Sequence, residues 1–141
     1  VGREDGKDGG EHMSVFYNSE KIDLLEWGTY WLSETPQVPS FGWDAACKRT
    51  ATWTRLKVKK TGEEFFFVNT HLDHKGFEAR EKGLMLLVER ISAMNPNGVP
   101  VVLTGDFNIT PDAEELEGLN RIMKSARGYA KHADPNGSYN G

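Results

Sequence analysis

Val101-Val102-Leu103-Thr104-Gly105-Asp106-Phe107-Asn108 is an apolar run that closes on a glycine, an acid, an aromatic and an amide. Bounded by Pro100 and Gly105, it reads as a strand buried on both faces, whose last residues emerge at the edge of a sheet. That edge is where α/β proteins place their chemistry. Phe65-Phe66-Phe67-Val68-Asn69-Thr70-His71-Leu72-Asp73-His74 repeats the design, ending in groups able to bind metal or phosphate. Two such ends side by side make one polar site on a rigid floor.

Gly105 has no Cβ and permits a tight exit from its strand. Asp106 and Asn108 lie two apart and point the same way if the backbone stays extended, with Phe107 turned into the packing. Between the two runs, Leu84, Leu87, Val88, Ile91 and Met94 fall on one face of a helix over residues 78–94, which Asn95-Pro96-Asn97-Gly98 stops. The unit is strand, helix, strand, and a right-handed crossover between parallel strands brings both polar ends to one edge. A local reading of Asp106 and Asn108 as ordinary turn residues also fits the residue types.

Taken together, Asn69-Thr70-His71-Leu72-Asp73-His74 and Gly105-Asp106-Phe107-Asn108 resemble motifs of the endonuclease/exonuclease/phosphatase superfamily, the DNase-I-like metal-dependent phosphoesterases, in its bacterial branch. Residues 42–53 and 31–36 add to the likeness. The resemblance implies an α/β fold of two β-sheets packed face to face with flanking helices, a four-layer sandwich of which residues 1–141 form the central portion of a single domain. It implies His71 at the scissile phosphate, Asp106 orienting or deprotonating the attacking water, and Asn108 donating to a phosphoryl oxygen. Arg49, Asp73, His74, Arg80, Tyr139 and Asn140 would line the phosphate and substrate pocket, and Mg2+ or Mn2+ would be the cofactor of the complete domain. Asp106 is a possible metal ligand, and no complete metal set lies within the chain. The family's amino-terminal asparagine and metal-binding glutamate would precede Val1, and its Asp-His pair would follow Gly141. The expectation is a phosphoesterase (phosphodiesterase, nuclease or phosphatase) whose isolated central piece lacks a complete site.

Composition sets the outer bounds. The 141 residues suit one domain, and 38% hydrophobic with 27% charged is an ordinary globular balance without a membrane-spanning run. A net charge of -4 gives no electrostatic footprint for long nucleic acid, which remains a possible substrate that charge does not imply. Nothing points to an obligate protein partner. Cys47 is the only cysteine, so neither an internal disulfide nor a cysteine zinc cluster can form, and it reads as a packed bystander. The chain opens without an initiator methionine, reads as a piece of a longer protein, and leaves its compartment unknown.

The remaining segments frame the site. Residues 1–11 are glycine-rich and charged, an exposed loop or disordered start. Residues 13–17 and 22–31 look like a hairpin, with Gly28 marking a bulge or a close backbone approach. Residues 32–46 form a long irregular loop bracketed by Trp31 and Trp43, read as lid packing. Arg49 opens a strand over 50–58 that turns at 59–63. Arg80 in the first helical turn reaches either the site or a surface salt bridge. Thr110 caps a further helix with Pro111 at its first position, so Asp112, Glu114 and Glu115 are helix chemistry. His71-Leu72-Asp73-His74 also approaches the zinc motif of the metallo-β-lactamase fold, which needs a histidine where Asn69 stands. A zinc hydrolase and a non-catalytic binding module are the two alternatives.

Overall fold

A computed structural model describes residues 1–134 of the chain. Four strands, β1 (Ile22–Trp31), β2 (Thr50–Val58), β3 (Glu64–His71) and β4 (Val101–Asp106), make one mixed sheet in the order β1-β2-β3-β4. β1, β2 and β3 are antiparallel neighbours, whereas β3 and β4 run parallel across the helix α1 (Phe77–Met94). The α/β class and the strand, helix, strand unit therefore stand as read. The two-sheet sandwich is represented among the described residues by one sheet and the helix layer on one of its faces.

Alternation decides which residues face the helix. Tyr30, Ala51 and Val68 pack with Leu84, Leu87 and Ile91 of α1, with Leu119 closing the cluster. The opposite face carries a polar row: register pairs Thr29 with Thr52, Thr52 with Asn69, and Asn69 with Thr104 across all four strands. The Thr29 and Thr52 hydroxyls lie 2.9 Å apart, and Thr104 Oγ1 donates to Asn69 Oδ1 at 3.2 Å. One step along the same face come Trp31 beside Thr50, and His71 beside Asp106.

Helix α1 begins without a side-chain cap of its own at Gly76. The long loop supplies one from a distance, since Asp44 accepts from the Ala79 N–H at 2.7 Å and the Glu78 N–H at 3.3 Å. A carboxylate at this end satisfies orphan donors and complements the helix dipole. Trp31 is buried, in keeping with lid packing, and Trp43 adopts φ +48 beneath the Lys82 ammonium.

Several expectations change. Residues 13–17 form no strand and no hairpin; β1 is instead paired with β2 from Ile22 to Trp31, and the earlier segment crosses the polar face, where Ser14 O accepts from Asn69 Nδ2 at 3.1 Å. The bulge lies between Leu24 and Glu26, while Gly28 is a close approach: a Cβ there would sit 2.8 Å from Trp53 Nε1. Residues 1–11 are an ordered loop, closed by a Gly2–His12 bridge and by Asp5 Oδ1 accepting from the Lys7 and Gly9 N–H groups. β4 is not buried on both faces, since Val102 is 43% exposed on the face with no layer over it among the described residues. Thr110 does not cap a helix. Its carbonyl accepts from the Ala113 N–H in a turn, so helical structure waits for a 3-10 turn at Glu114–Leu116 and a short α2 (Glu117–Asn120), with a further turn, α3 (Ala126–Tyr129), beyond.

Gly105 couples this fold to its site. At φ +151 it lies against β3 so closely that a Cβ would fall 2.0 Å from the Thr70 carbonyl oxygen. Gly105→Ala is expected to lower the unfolding free energy by at least ~2 kcal/mol, because a backbone clash must push β4 away from β3. Gly118→Ala, with nothing within 4 Å of its Cβ, should stay within ~0.5 kcal/mol of the parent. Urea unfolding of both variants checks the contrast.

Candidate active site

The parallel register places His71, the last residue of β3, beside Asp106, the last of β4. His71 Nε2 and Asp106 Oδ2 are 3.8 Å apart, too far for a hydrogen bond and close enough for one water to touch both. Behind the ring, Glu11 Oε2 lies 3.3 Å from His71 Nδ1. A carboxylate only accepts, so this contact favours the tautomer with the proton on Nδ1 and the Nε2 lone pair towards Asp106. Burial, reinforced by the Arg49 charge, lowers the His71 pKa against the opposing pull of Asp106 and Glu11, which leaves the imidazole neutral at pH 7.

Arg49 enters from the start of β2 and is 4% exposed. Its Nε donates to Asp73 Oδ2 at 3.4 Å and its Nη2 to His74 Nδ1 at 3.0 Å. Its Nη1 is buried without a hydrogen-bond partner, 3.9 Å from Glu11 Oε2. A buried guanidinium nitrogen in that condition is suited to an anionic oxygen.

Asp73 is a fastening rather than a reactive group. It is 2% exposed; Oδ2 accepts from the Ala46 and Cys47 N–H groups at 3.1 Å each, and Oδ1 from those of Lys75 and Gly76 at 2.9 Å each. Burial opposes its charge, but these backbone donors outweigh it and hold the carboxyl well below the usual carboxylate range.

The extended geometry expected of Asp106 and Asn108 does not hold. Asn108 has φ +51, its N–H donates to Asp106 Oδ1 at 3.0 Å, and its Nδ2 donates to Leu72 O at 2.9 Å. The chain turns sharply after Asp106, and Phe107 packs against the core as read. Arg80 joins α1 to the segment after β4, with Nε donating to Glu115 Oε1 at 3.2 Å and Nη1 to Asp73 O at 3.3 Å. Glu115 is thus an ion-pair partner as well as part of an acidic turn. His74 is exposed and held by Arg49. Tyr139 and Asn140 lie outside the described residues.

Glu11 was not legible as a site residue. It sits in a glycine-rich charged stretch with no periodicity, and only the fold of that loop brings it to His71.

Among the described residues, one group of His, Cys, Asp and Glu side chains is compact enough to share an ion: Cys47, Asp73 and His74, with ligand atoms within 4.8 Å. It does not fit Mg2+ or Mn2+, which favour oxygen ligands. It does not suit zinc either, since Arg49 occupies the His74 Nδ1 lone pair and His71 lies outside the group. Asp106, 65% exposed at its side chain, is the site carboxylate with room for a further contact.

The chain belongs to the Endonuclease/Exonuclease/phosphatase family, whose model matches residues 8–141. It is similar to an endonuclease/exonuclease/phosphatase family protein of Bacteroides thetaiotaomicron at 45% identity and TM-score 0.82, over 84% of this chain and 44% of that one. A mannosyl-6-phosphatase of the same organism matches at 46% identity and TM-score 0.80, over 82% of this chain and 43% of that one. A conserved protein of unknown function from Enterococcus faecalis matches at 32% identity and TM-score 0.86, over 94% and 52%. The chain thus spans about half the length of these proteins. Members of this family generally use divalent metals. No helix of the described residues is long and apolar enough to cross a membrane.

Asp73 makes a pH-dependent contribution to stability. Its folded pKa is depressed, so that contribution is complete above about pH 4 to 5 and is lost as pH falls through the unfolded value towards the folded one. Asp73→Asn should remove more than ~2 kcal/mol at neutral pH, since an amide presents N–H to backbone donors, and should flatten the acid limb below about pH 4. Denaturant titrations of both proteins from neutral to acid pH measure this.

Proposed function

We propose that the complete protein is a divalent-metal-dependent phosphoesterase in which this chain supplies the water-handling and anion-binding side of the site. The observation that carries the reading is the pair of acceptors, His71 Nε2 and Asp106 Oδ2, 3.8 Å apart beside the unpaired Arg49 Nη1. A water that donates one hydrogen to each acceptor keeps an oxygen lone pair free for phosphorus. Arg49 Nη1 and the second N–H of the Asn108 amide are donors suited to phosphoryl oxygens. As the water oxygen bonds to phosphorus, its proton passes to His71 Nε2 or Asp106; the bond from phosphorus to the ester oxygen breaks, and that oxygen takes its proton from solvent water. Glu11 supports the imidazolium so formed. The donor role of His71 towards phosphate, which the resemblance implies, belongs to that protonated form.

The described residues do not complete a site for Mg2+ or Mn2+. The 46% identity to a mannosyl-6-phosphatase supports a sugar phosphate monoester as the substrate, and the net charge of -4 offers no support for a long polyanion.

The test is hydrolysis of mannose 6-phosphate and of a nitrophenyl phosphodiester by the full-length protein, with and without Mg2+ or Mn2+. Metal-dependent turnover is expected, with Asp106→Ala and His71→Ala each reducing kcat/KM by about 10²- to 10⁴-fold. Turnover that survives Asp106→Ala would overturn the assignment, and absence of turnover with every metal would favour a binding module.

A further inference from the structure

The carboxylate that lies 3.3 Å from His71 Nδ1 is itself poorly fixed. The Glu11 side chain is 54% exposed, in a loop with no regular structure of its own, and an isolated carboxylate there would rotate into solvent. Arg3 prevents this. Its Nη1 lies 2.5 Å from Glu11 Oε2, the same oxygen that faces His71 Nδ1.

Arg3 is held on every side. Its side chain is 14% exposed, its Nε donates to Glu4 Oε1 at 3.2 Å, its carbonyl accepts from Trp31 Nε1 at 2.7 Å, and its N–H donates to Glu11 O at 3.1 Å. Lys48 Nζ donates to Glu4 O at 2.6 Å and fastens the other flank. Arg49 cannot take over the role, because its Nη1 is 3.9 Å from Glu11 Oε2, beyond hydrogen-bond reach.

We propose that Arg3 is a positioning residue that acts through Glu11: it pins the carboxylate against His71 Nδ1 and so decides which imidazole nitrogen carries the proton. The inference rests on the phosphoesterase reading for its kinetic consequence alone. With Arg3 and Glu11 in place, Nε2 is the free acceptor facing Asp106. Without Arg3, the carboxylate is released and the neutral ring divides between its two tautomers.

Arg3→Gln, Glu11→Gln and the double variant of the full-length protein test this by two readouts. One is kcat and KM on the substrate that the wild type turns over. The other is the 15N–1H correlation spectrum of the His71 ring, assigned against His71→Gln and recorded where the imidazole is neutral. Arg3→Gln should lower kcat about tenfold to hundredfold, no more than the lower end of the ~10²- to 10⁴-fold range of acid–base contributions, with KM changed less than about threefold. The His71 Nδ1–H signature should give way to a mixture, and Arg3→Gln should add nothing in the Glu11→Gln background. Arg3→Lys, which keeps the charge without the fork, should recover part of kcat and serves in place of Arg3→Gln if that variant does not fold. A raised KM with unchanged kcat would make Arg3 a substrate-anion ligand and overturn the proposal. So would an unaltered His71 ring, or effects that multiply in the double variant. If the full-length protein shows no turnover, the phosphoesterase reading fails and the ring spectrum alone decides the role of Arg3.

Discussion

The buried carboxylate of Asp73 is the constraint on which the geometry of the site depends. A charge at 2% exposure is tolerated only when hydrogen bonds replace its lost hydration. Here the replacements come from separate stretches of chain: the end of the long loop at Ala46 and Cys47, the approach to α1 at Lys75 and Gly76, and the guanidinium of Arg49. Satisfying one side chain therefore fixes where β2 begins, how α1 is entered, and which way Arg49 points. The same loop carries Asp44, which caps α1, so loop and helix hold each other in place. Rigid support of this kind lets the unpaired Nη1 of Arg49 persist in one position rather than collapse onto a neighbour.

A second constraint acts across the sheet. Parallel pairing of β3 with β4 forces residues at equal height onto the same face, so His71 and Asp106 are brought together by backbone hydrogen bonding and need no direct contact. Their 3.8 Å separation is a property of the floor. Gly105 makes that floor possible by allowing β4 to lie against the Thr70 carbonyl.

What was legible in the sequence follows the range over which sequence signals act. Apolar runs, a helical stripe and turn residues gave β2, β3, α1 and β4, because each signal is local and strong. The same locality limited the reading elsewhere. Residues 13–17 have strand-like composition, but they cross the polar face of the sheet, where Ser14 O accepts from Asn69 Nδ2, and do not pair with β1. Asn108 follows a strand in sequence yet takes a left-handed conformation, because its amide reaches the Leu72 carbonyl of the neighbouring chain segment. Arg3 and Glu11 carried no periodicity at all. Their place beside His71 is set by a small loop closed at Gly2 and His12 and docked on Trp31, through contacts that join segments distant in sequence.

The distribution of charge gives the division of labour within the site. The chain is acidic overall, yet Arg3, Lys48 and Arg49 gather near a single edge of the sheet around the neutral His71, answered there by Glu4, Glu11 and Asp106. Each acid has a distinct condition: Glu4 and Glu11 are paired with cations, whereas Asp106 stands at the rim with its side chain 65% exposed. A hard cation needs several oxygen ligands at close range, and one exposed carboxylate cannot supply them. A donor-rich edge is therefore what these residues build, and its cationic charge comes from side chains that cannot leave.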